Sequence, residues 1–442
     1  MNLLSLRRPS SVVCRPYSIV SPKAIVRYLC TAMKTFDVPF VYRSPLISAI
    51  KNKRRLQDKL KKDFTPSLLD FGALKIFLAR HFGFCYGVEN AIEIAFRTIE
   101  ENPGKRIFLL SEMIHNPQVN EDLQQKGVRF LQDTSGKQLI SFDELLPDDV
   151  VLIPAFGTTI DLEKKLLALG IAVEKYNTTC PFVEKVWNRS AAISNNGYSI
   201  IIHGKPNHEE TRATFSHAAA SAPALVVKDM QETIELGKYI TGEKSPASFY
   251  TAFEGRYSAG FDVTTHLQRI GVVNQTTQLA TDTQAIADYL RALYKNHYQL
   301  TESTIAERFA DTRDTLCYAT NDNQTAVNGL LDTKADLAIV VGGYNSSNTT
   351  HLVELCETRL PTFFISDEEK ILNKDSILHY NYHTKQELLT NNYLPATSPL
   401  NILITSGASC PDAIVESVIR KLAGFYNQEF RLEKLLEEWS DR

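Results

Sequence analysis

The sequence predicts an α/β protein built mainly from parallel sheets, and three observations lead to this fold class. From about Lys75 onward, short β-branched runs alternate with stretches of helical periodicity. Several strand-like runs end in Gly, Asn or His and continue into a polar loop, where open α/β sheets gather functional groups. Three cysteines recur at about one α/β unit each. We therefore expect three related α/β lobes around a shared centre.

The bulk composition limits the class of protein and its partners. A chain of 442 residues is too long for one simple core and suits two to four units. Its 43% hydrophobic and 22% charged residues are ordinary for a globular protein, and its net charge of −3 gives no general reason to expect nucleic-acid binding. No apolar run is long enough to span a membrane. We expect neither nucleic acid nor a membrane as a partner.

The first 73 residues are predicted to form an extension that precedes the lobes. Residues 1–32 carry five basic residues, five serines and no acidic residue, a composition that fits an organellar transit peptide. The alternative, which we favour, is that Met33 is the true start. The predicted location is therefore cytoplasmic, or plastid if residues 1–32 are a genuine transit peptide.

The remainder of the extension, residues 33–73, contains a basic run. This run, KNKRRLQDKLKK at Lys51–Lys62, includes one acidic residue, Asp58. We interpret it as a solvated helix face. The alternative is a docking patch for an acidic redox partner.

Nine segments have the composition of short buried strands. In chain order these are KIFLA (75–79), RIFLL (106–110), VVLIPA (150–155), YSIIIHG (198–204), ALVV (224–227), RIGVVN (269–274), LAIVVGG (337–343), TFFI (362–365) and NILITSG (401–407). The predicted lobes are residues 74–178, 179–314 and 315–426. Segment 240–266, rich in Gly, Ser and aromatic residues, is predicted to be an insertion in the second lobe, and residues 427–442 an exposed amphipathic helical tail.

Cys85, Cys180 and Cys317 occupy similar places, each just before a helical stretch. They are 95 and 137 residues apart, and the second separation becomes 110 without the 27-residue insertion. A helix N-terminus favours an anionic thiolate. Seven cysteines are too few for a disulfide scaffold of this length, so reduced thiols are expected. The alternative is that each cysteine is a small buried hydrophobe.

Three converging thiolates suit an iron–sulfur cluster better than a structural zinc ion. Structural zinc usually takes four ligands from close pairs such as C-x-x-C, and the sequence has no such pair. Iron–sulfur clusters are held by thiolates, and a [4Fe–4S] cluster with three protein ligands leaves one iron open to a substrate. On residue types alone, three unrelated buried cysteines remain the competing hypothesis.

Two histidine-containing stretches follow predicted strands. EMIHNPQVN carries His115 and Asn116, and HGKPNHEET carries His208, Glu209 and Glu210. Imidazoles suit a polyanionic ligand, and a carboxyl such as Glu210 suits proton delivery. Glu209 has a simpler interpretation, as an acidic residue that complements the dipole at a helix N-terminus.

Three further loops are rich in hydroxyl and amide side chains. They are NQTTQ (274–278), GGYNSSNTTH (342–351) and SGASCPDAI (406–414). Such residues at helix N-termini bind phosphate together with backbone N–H groups, and they also serve as ordinary N-caps. Three such loops at strand ends favour a phosphate or diphosphate site. The G-x-x-x-x-G-K-[ST] loop is absent from the sequence, so nucleotide hydrolysis is not indicated.

Eight ordered motifs resemble those of the LytB-type 4-hydroxy-3-methylbut-2-enyl diphosphate reductases, from about Leu74 to about Tyr426. They are GFCYGV, IHNPQVN, TTCPFV, HGKPNHEET, NQTT, CYAT, GGYNSSN and SGASCPD. The resemblance implies a three-lobed, pseudo-threefold α/β trefoil around a [4Fe–4S] cluster with one open iron, held by Cys85, Cys180 and Cys317. It also implies reductive dehydroxylation of the substrate diphosphate to isopentenyl and dimethylallyl diphosphate, the final step of the methylerythritol phosphate (non-mevalonate) isoprenoid pathway. The electrons would come from a ferredoxin- or flavodoxin-like donor.

The resemblance also implies roles for the polar residues. The diphosphate would be bound by His115, His208, Ser346, Asn348 and Ser409, with Ser347 in the same loop. Thr276 would contact the end of the substrate near the cluster, and Glu210 would direct proton delivery. One departure is Phe156, where many bacterial relatives carry a further diphosphate-binding histidine; His203 is a possible replacement.

Two other classes of function stay open at this point. A hydro-lyase would use a cluster as a Lewis acid and would turn over without a reductant. A cluster-bearing sensor or a binding protein for isoprenoid diphosphates would bind the ligand without converting it. The set of His, Glu and Thr residues argues against the second class, because sensing needs no proton donor.

Overall fold

The computed structural model describes residues 36–310, 315 and 317–440, and also the backbone of two short strands. The predicted transit-like segment lies outside the described residues apart from those strands. Within the described ranges, no helix combines the length and the apolar character that crossing a membrane requires.

Helices and strands alternate along most of the described chain. The strands are β1 (Val13–Arg15), β2 (Leu29–Thr31), β3 (Ser67–Asp70), β4 (Leu74–Leu78), β5 (Ile107–Leu109), β6 (Arg129–Phe130), β7 (Val150–Leu152), β8 (Ser199–His203), β9 (Ala224–Val227), β10 (Ile270–Asn274), β11 (Leu337–Val341), β12 (Thr362–Ile365), β13 (Ser376–Asn381), β14 (Gln386–Asn391) and β15 (Leu400–Ser406). The helices are α1 (Pro45–Gln57), α2 (Tyr86–Glu101), α3 (Pro117–Gln125), α4 (Ile160–Ala168), α5 (Pro181–Ser194), α6 (Glu209–Ala219), α7 (Met230–Ile240), α8 (Pro246–Ala252), α9 (Val263–His266), α10 (Ala280–His297), α11 (Tyr318–Leu331), α12 (Ser347–Glu357), α13 (Asp412–Gly424) and α14 (Arg431–Ser440).

The chain divides into two compact units, Met1–Asp37 and Val38–Arg442. In the first unit, the described strands β1 and β2 pair antiparallel. The second unit contains all the other elements, including each of the nine strands that the sequence predicts.

Three mainly parallel sheets form the frame of the second unit. The largest has the order β12-β11-β15-β4-β3, in which only the edge pair β3–β4 is antiparallel. The other two have the orders β6-β5-β7 and β10-β8-β9, and both are parallel throughout. The predicted α/β fold class is confirmed.

Three strands of these sheets are buried along their whole length. Every residue of β8, β10 and β11 is buried. Helices cover both faces of a parallel sheet, so its strands consist of continuous β-branched and aliphatic residues. This burial explains why the strand pattern is easy to recognise in the sequence.

The largest sheet joins the two ends of the second unit. Strand β4 lies between β15 and β3, with Ile76 opposite Ile402 and Leu78 opposite Ile404. The strand predicted at 75–79 is therefore present, but it pairs with β15 of the region 315–426 on one side and with β3 on the other. The predicted lobe boundaries near residues 178 and 314 stay predictions.

Several elements differ from the sequence pattern because they are exposed or short. Strand β6 has two residues, and β14 is almost entirely exposed, so neither carries a periodic apolar signal. The helical tail α14 is present, but Leu432 and Leu435 are buried in the core cluster that also contains Ile47 and Ile50 of α1. The tail is thus packed along one face and not simply exposed.

Segment 240–266 also contributes to a core. It contains the short helices α8 and α9, and Phe249, Phe253 and Phe261 are buried in the cluster around β8 and β10. Phe249 stacks on Phe253, with ring centroids 5.1 Å apart. The aromatic residues that interrupt the sequence pattern therefore fill the interior of this region.

Candidate active site

One cavity brings together ten of the eleven site residues that the sequence predicts. Its lining includes Cys85, Cys180, Cys317, His115, Glu210, Thr276, Ser346, Ser347, Asn348 and Ser409. The eleventh, His208, packs behind His115 with their rings edge to face and their centroids 5.0 Å apart. Apolar side chains, among them Ile114, Phe156 and Val183, complete the lining.

The cavity lies where the carboxyl ends of the parallel strands meet. The connections that follow β5, β8, β10, β11 and β15 each carry predicted site residues to it. This is the edge at which open parallel sheets present their ligand sites. Residues far apart in the chain therefore converge because of the sheet topology.

The three cysteines are N-cap residues of α2, α5 and α11. In each case, backbone N–H groups two and three residues further on face the sulfur atom and favour its anionic form. The backbone of Cys85 donates to the Ala408 carbonyl at 3.2 Å, and that of Cys180 donates to the Ala155 carbonyl at 2.9 Å. These bonds tie the first two cysteines to neighbouring strand-end loops.

Burial opposes ionisation of the same three sulfur atoms. It raises the pKa of Cys85 to about 12, and the nearby sulfur of Cys317 adds to the shift. Burial also raises the pKa of Cys180 and that of Cys317. A coordinated cation would reverse this balance, because a metal deprotonates the thiols that bind it.

Gly87 allows two cysteine-bearing helices to approach each other. A Cβ atom at this position would lie 2.4 Å from Cys180 Sγ and 3.1 Å from Cys180 Cβ. Contacts under 3 Å require something to shift, so any larger residue at position 87 would displace Cys180. The glycine of the GFCYGV motif is therefore explained by packing between α2 and the start of α5.

The IHNPQVN motif builds the loop that carries His115. Asn116 caps α3 by accepting from Val119 N at 3.1 Å, and Pro117 occupies the first turn. The buried Asn120 side chain accepts from Met113 N at 3.0 Å and donates to Ile114 O at 2.9 Å. It also donates to Asn116 O at 3.0 Å. The loop is thus fixed on both sides of His115.

The imidazole of His115 is held by a carboxylate from a different element. Its Nε2 lies 3.2 Å from Oε2 of Glu209, whose other oxygen accepts a hydrogen bond from Ser111. The backbone carbonyl of His115 accepts from Ser409 Oγ at 3.0 Å. Glu209 is therefore more than the dipole-complementing residue expected from sequence, because it orients an imidazole of the cavity.

Phe156 lies flat against His115, with ring centroids 4.2 Å apart and an interplanar angle of 28°. It also meets His208 edge to face at 5.7 Å. The apolar ring thus positions both histidines without adding a cation. His203, the possible replacement, is buried and its Nδ1 lies 2.9 Å from Thr283 Oγ1; the cavity lining does not include it.

His208 is partly buried as a residue and has one ring nitrogen uncommitted. As the N-cap of α6, its Nδ1 accepts from Glu210 N at 3.2 Å. Its Nε2 is buried and has no hydrogen-bond partner among the described residues. Burial, followed by the neighbouring His115, lowers the pKa of His208 well below its usual value.

Glu210 is a buried carboxyl poised near neutrality. Burial raises its pKa to about 7, although hydrogen bonds from Thr276 act in the opposite direction. The backbone N–H of Thr276 donates to Glu210 Oε1. The NQTT loop after β10 therefore orients a carboxyl in the first turn of α6.

The SSN motif forms the first turn of α12. Ser346 is its N-cap and accepts from Thr349 N at 3.2 Å, so Ser347 and Asn348 follow at the helix start. Asn348 Oδ1 accepts from Ala408 N at 2.9 Å. Its Nδ2 is buried without a partner among the described residues and is free to donate to a ligand. The helix N-terminus and this amide form a site suited to an anion.

Sequence reasoning missed some cavity residues. Thr277 and Thr320 line the cavity, and Thr320 contacts the sulfur of Cys317 through its side chain. The NQTT and CYAT motifs contain both residues, but a threonine beside an assigned residue gives no separate signal in one sequence.

The fold and the cavity define an α/β protein with an enzyme-type site, in which three cysteines adjoin polar groups of a kind suited to an anion. Comparison with known proteins gives the family. The profile of the family described as LytB protein matches residues 76–423. This chain belongs to the LytB family.

Curated relatives are similar along most of this chain. The 4-hydroxy-3-methylbut-2-enyl diphosphate reductase of Prochlorococcus marinus (strain NATL1A) is 38% identical over 390 residues, which cover 86% of this chain and 90% of the relative. The enzyme of the same name from Synechococcus sp. (strain CC9311) is 39% identical over 355 residues, covering 80% and 86% of the two chains.

The fold is similar to that of a solved structure, the E-1-hydroxy-2-methyl-but-2-enyl-4-diphosphate reductase from Plasmodium falciparum. The TM-score is 0.56, with 22% sequence identity, and the match covers 79% of this chain and 87% of that chain. This comparison supports the three-lobed α/β architecture.

Proposed function

We propose that this protein is a 4-hydroxy-3-methylbut-2-enyl diphosphate reductase that carries a [4Fe–4S] cluster on Cys85, Cys180 and Cys317. It converts (E)-4-hydroxy-3-methylbut-2-enyl diphosphate to isopentenyl and dimethylallyl diphosphate, the final step of the non-mevalonate pathway. The observation that carries the proposal is the single cavity in which three N-capping cysteines face a set of anion-binding groups and one buried carboxyl.

The three cysteine thiolates fit an iron–sulfur cluster. Among the described residues, no three His, Cys, Asp or Glu side chains lie close enough to hold one metal ion. A cluster binds each thiolate through a different iron, so its ligands stand further apart than those of a single ion. The close approach at Gly87 and the N–H groups that face each sulfur are consistent with such a centre. When bound, the cluster supplies single electrons and an iron that the protein leaves unligated.

The diphosphate would be bound on the opposite side of the cavity. The start of α12 offers backbone N–H groups, the hydroxyls of Ser346 and Ser347, and the uncommitted Nδ2 of Asn348. Ser409 and His115 adjoin them, and the free Nε2 of His208 lies behind His115. These groups would orient the substrate so that its hydroxyl end points toward the cysteines.

Glu210 would hold and deliver the proton that the leaving hydroxyl needs. Its pKa of about 7 leaves a substantial protonated fraction at neutral pH. Thr276 fixes the carboxyl through its backbone N–H and lines the same cavity. The apolar surroundings formed by Ile114, Phe156 and Val183 would exclude bulk water from the reacting end of the substrate.

A turnover assay separates this proposal from its alternatives. The protein, purified without oxygen, is given substrate with and without chemically reduced methyl viologen, and both products are quantified. We expect isopentenyl and dimethylallyl diphosphate only when the reductant is present. Turnover without a reductant would indicate a hydro-lyase, and tight binding without product would indicate a sensor or binding protein.

A further inference from the structure

We propose that the surface over Cys85 and Cys317 docks a small acidic one-electron carrier, with the basic segment Lys51–Lys62 as its electrostatic anchor. The inference rests on the proposed function, because it concerns how electrons reach a cluster on these cysteines. It assigns a role to a sequence feature that the active site does not use.

Aromatic side chains cover the cysteines on this side of the molecule. Tyr86 and Tyr318, which directly follow Cys85 and Cys317, are 47% and 58% exposed. Phe182, two residues after Cys180, packs edge to face with Tyr318 at 5.8 Å. Exposed aromatic side chains therefore adjoin Cys85 and Cys317 in the chain.

The residues that line the anion-binding side of the cavity are less exposed than the residues next to the cysteines. Ser346, Asn348 and His115 are all buried. On the other side, Cys317 is buried and Cys85 is partly exposed, but the tyrosines that follow them, Tyr86 and Tyr318, are exposed. The rate of electron transfer falls steeply with distance. The exposed face beside the cysteines is therefore the efficient entry point for electrons.

The basic segment borders this face at two points. Lys51 Nζ lies 4.7 Å from the ring centre of Phe82, three residues before Cys85, and 2.7 Å from Asp412 Oδ1. Lys61 Nζ lies 2.9 Å from Asp322 Oδ2, about one turn along α11 from Cys317. The segment thus runs along the edge formed by the starts of α2 and α11.

The charge and surface of the segment suit an acidic partner. It contains seven basic residues and one acidic residue, in a chain whose net charge is −3. Lys51, Arg54 and Lys61 pair with acidic side chains, whereas Lys59 and Lys62 are exposed. The apolar Leu56 and Leu60 of the same segment are 59% and 75% exposed. A basic rim beside apolar and aromatic contacts is typical of small, weak electron-transfer interfaces.

The electron balance requires repeated docking. Each turnover breaks one C–O bond of the substrate and releases the oxygen as water. Two reduced carriers each give one electron, two protons are taken up, and two oxidised carriers leave. A transient, salt-sensitive interface suits a carrier that must bind and dissociate twice per turnover.

The test uses charge reversal with a matched control. The test variant is Lys59→Glu/Lys62→Glu. The control, Lys105→Glu/Lys334→Glu, makes the same change in charge at exposed lysines beyond the far ends of α2 and α11, which are 16 and 14 residues long. At 1.5 Å per residue, these ends are about 24 and 21 Å from the cysteines. The donor is a reduced plant-type [2Fe–2S] ferredoxin, and methyl viologen is the small reference donor.

We expect the test variant to raise the KM for ferredoxin roughly tenfold at low salt, with less effect as salt increases. The rate of turnover of the test variant with methyl viologen should stay within about twofold of that of the unmodified protein. The control variant should keep both its KM for ferredoxin and its rate with methyl viologen within the same range. Equal effects of the two variants, or none, would overturn the docking proposal. Ferredoxin binding is also measured by calorimetry, so that the two proposals can fail separately. If the unmodified protein shows no turnover with either donor, the reductase proposal is wrong. If the test variant binds ferredoxin as tightly as the unmodified protein, the docking proposal is wrong.

Discussion

Glu210 shows how burial and hydrogen bonding set the chemistry of a single residue. A carboxyl in water is ionised at neutral pH, but enclosure raises the pKa of Glu210 to about 7. The N–H of Thr276 keeps the group oriented while it exchanges a proton. The same residue can therefore be both well positioned and protonated when the substrate binds.

The pH dependence of turnover tests this interpretation of Glu210. The raised pKa means that the acid form predominates below about pH 7 and is lost above it, so kcat should fall as pH rises through that region. Glu210→Gln keeps the shape but cannot donate the proton, so kcat should fall by roughly 10²–10⁴ with little change in substrate affinity. Kinetics with methyl viologen across pH 6–9 are the measurement. A Gln variant with unchanged kcat and pH profile would contradict the assignment.

Gly87 illustrates a residue whose function is to be small. Replacing a helical glycine with alanine normally favours the helix by about 1 kcal/mol. Here we expect Gly87→Ala to reduce bound iron, because the added Cβ would lie 2.4 Å from Cys180 Sγ. Gly424→Ala is the control, since its nearest contact is the end of the flexible Glu429 side chain. Iron analysis of the two purified variants checks the prediction, and equal, full iron content would refute it.

At the scale of elements, the polar motifs act mainly by fixing loops at helix starts. Cys85, Cys180, His208 and Ser346 are all N-cap residues, and Asn116 caps the helix beside His115. Capping and ligand binding are therefore not competing interpretations in this protein. The cap fixes the backbone, and the neighbouring groups of the same turn remain available to the cavity.

The Asn120 side chain provides a test at this scale. It makes three hydrogen bonds within the His115 loop, and at about 1 kcal/mol each, Asn120→Ala should cost roughly 2–3 kcal/mol of stability. We expect a raised KM for the substrate with normal iron content. Asn102→Ala removes another buried asparagine, at the far end of α2, and should lower stability without changing KM. Steady-state kinetics and urea unfolding distinguish the two effects.

The sequence predicts the frame and most of the site for identifiable physical reasons. Strands such as β8 and β11 are buried on both faces, so their composition alone reveals them. The exposed β14 and the two-residue β6 carry no such signal. The link from Glu209 to His115 joins residues 94 positions apart, and only the topology shows that they meet. The pairing of β4 with β15 is hidden from local patterns for the same reason.

At the scale of the whole molecule, three parallel sheets direct their carboxyl ends to one cavity. This arrangement makes each cysteine dependent on a different region of the chain, since their helices start at residues 86, 181 and 318. We therefore expect Cys85→Ser, Cys180→Ser and Cys317→Ser each to abolish turnover. The buried Cys356 and Cys410 do not line the cavity, and Cys356→Ala is expected to retain activity. Full activity in any of the three serine variants would contradict the assignment of these cysteines as cluster ligands.

The most direct test of the central claim is iron and sulfide analysis with electron paramagnetic resonance after purification without oxygen. The reduced protein is measured before and after addition of the substrate diphosphate. A [4Fe–4S] cluster held by three cysteines should give the paramagnetic resonance spectrum of a reduced cubane cluster, and this spectrum should change when substrate binds beside the open iron. Protein that contains no iron after careful anaerobic handling, with all three cysteines as free thiols, would contradict the account.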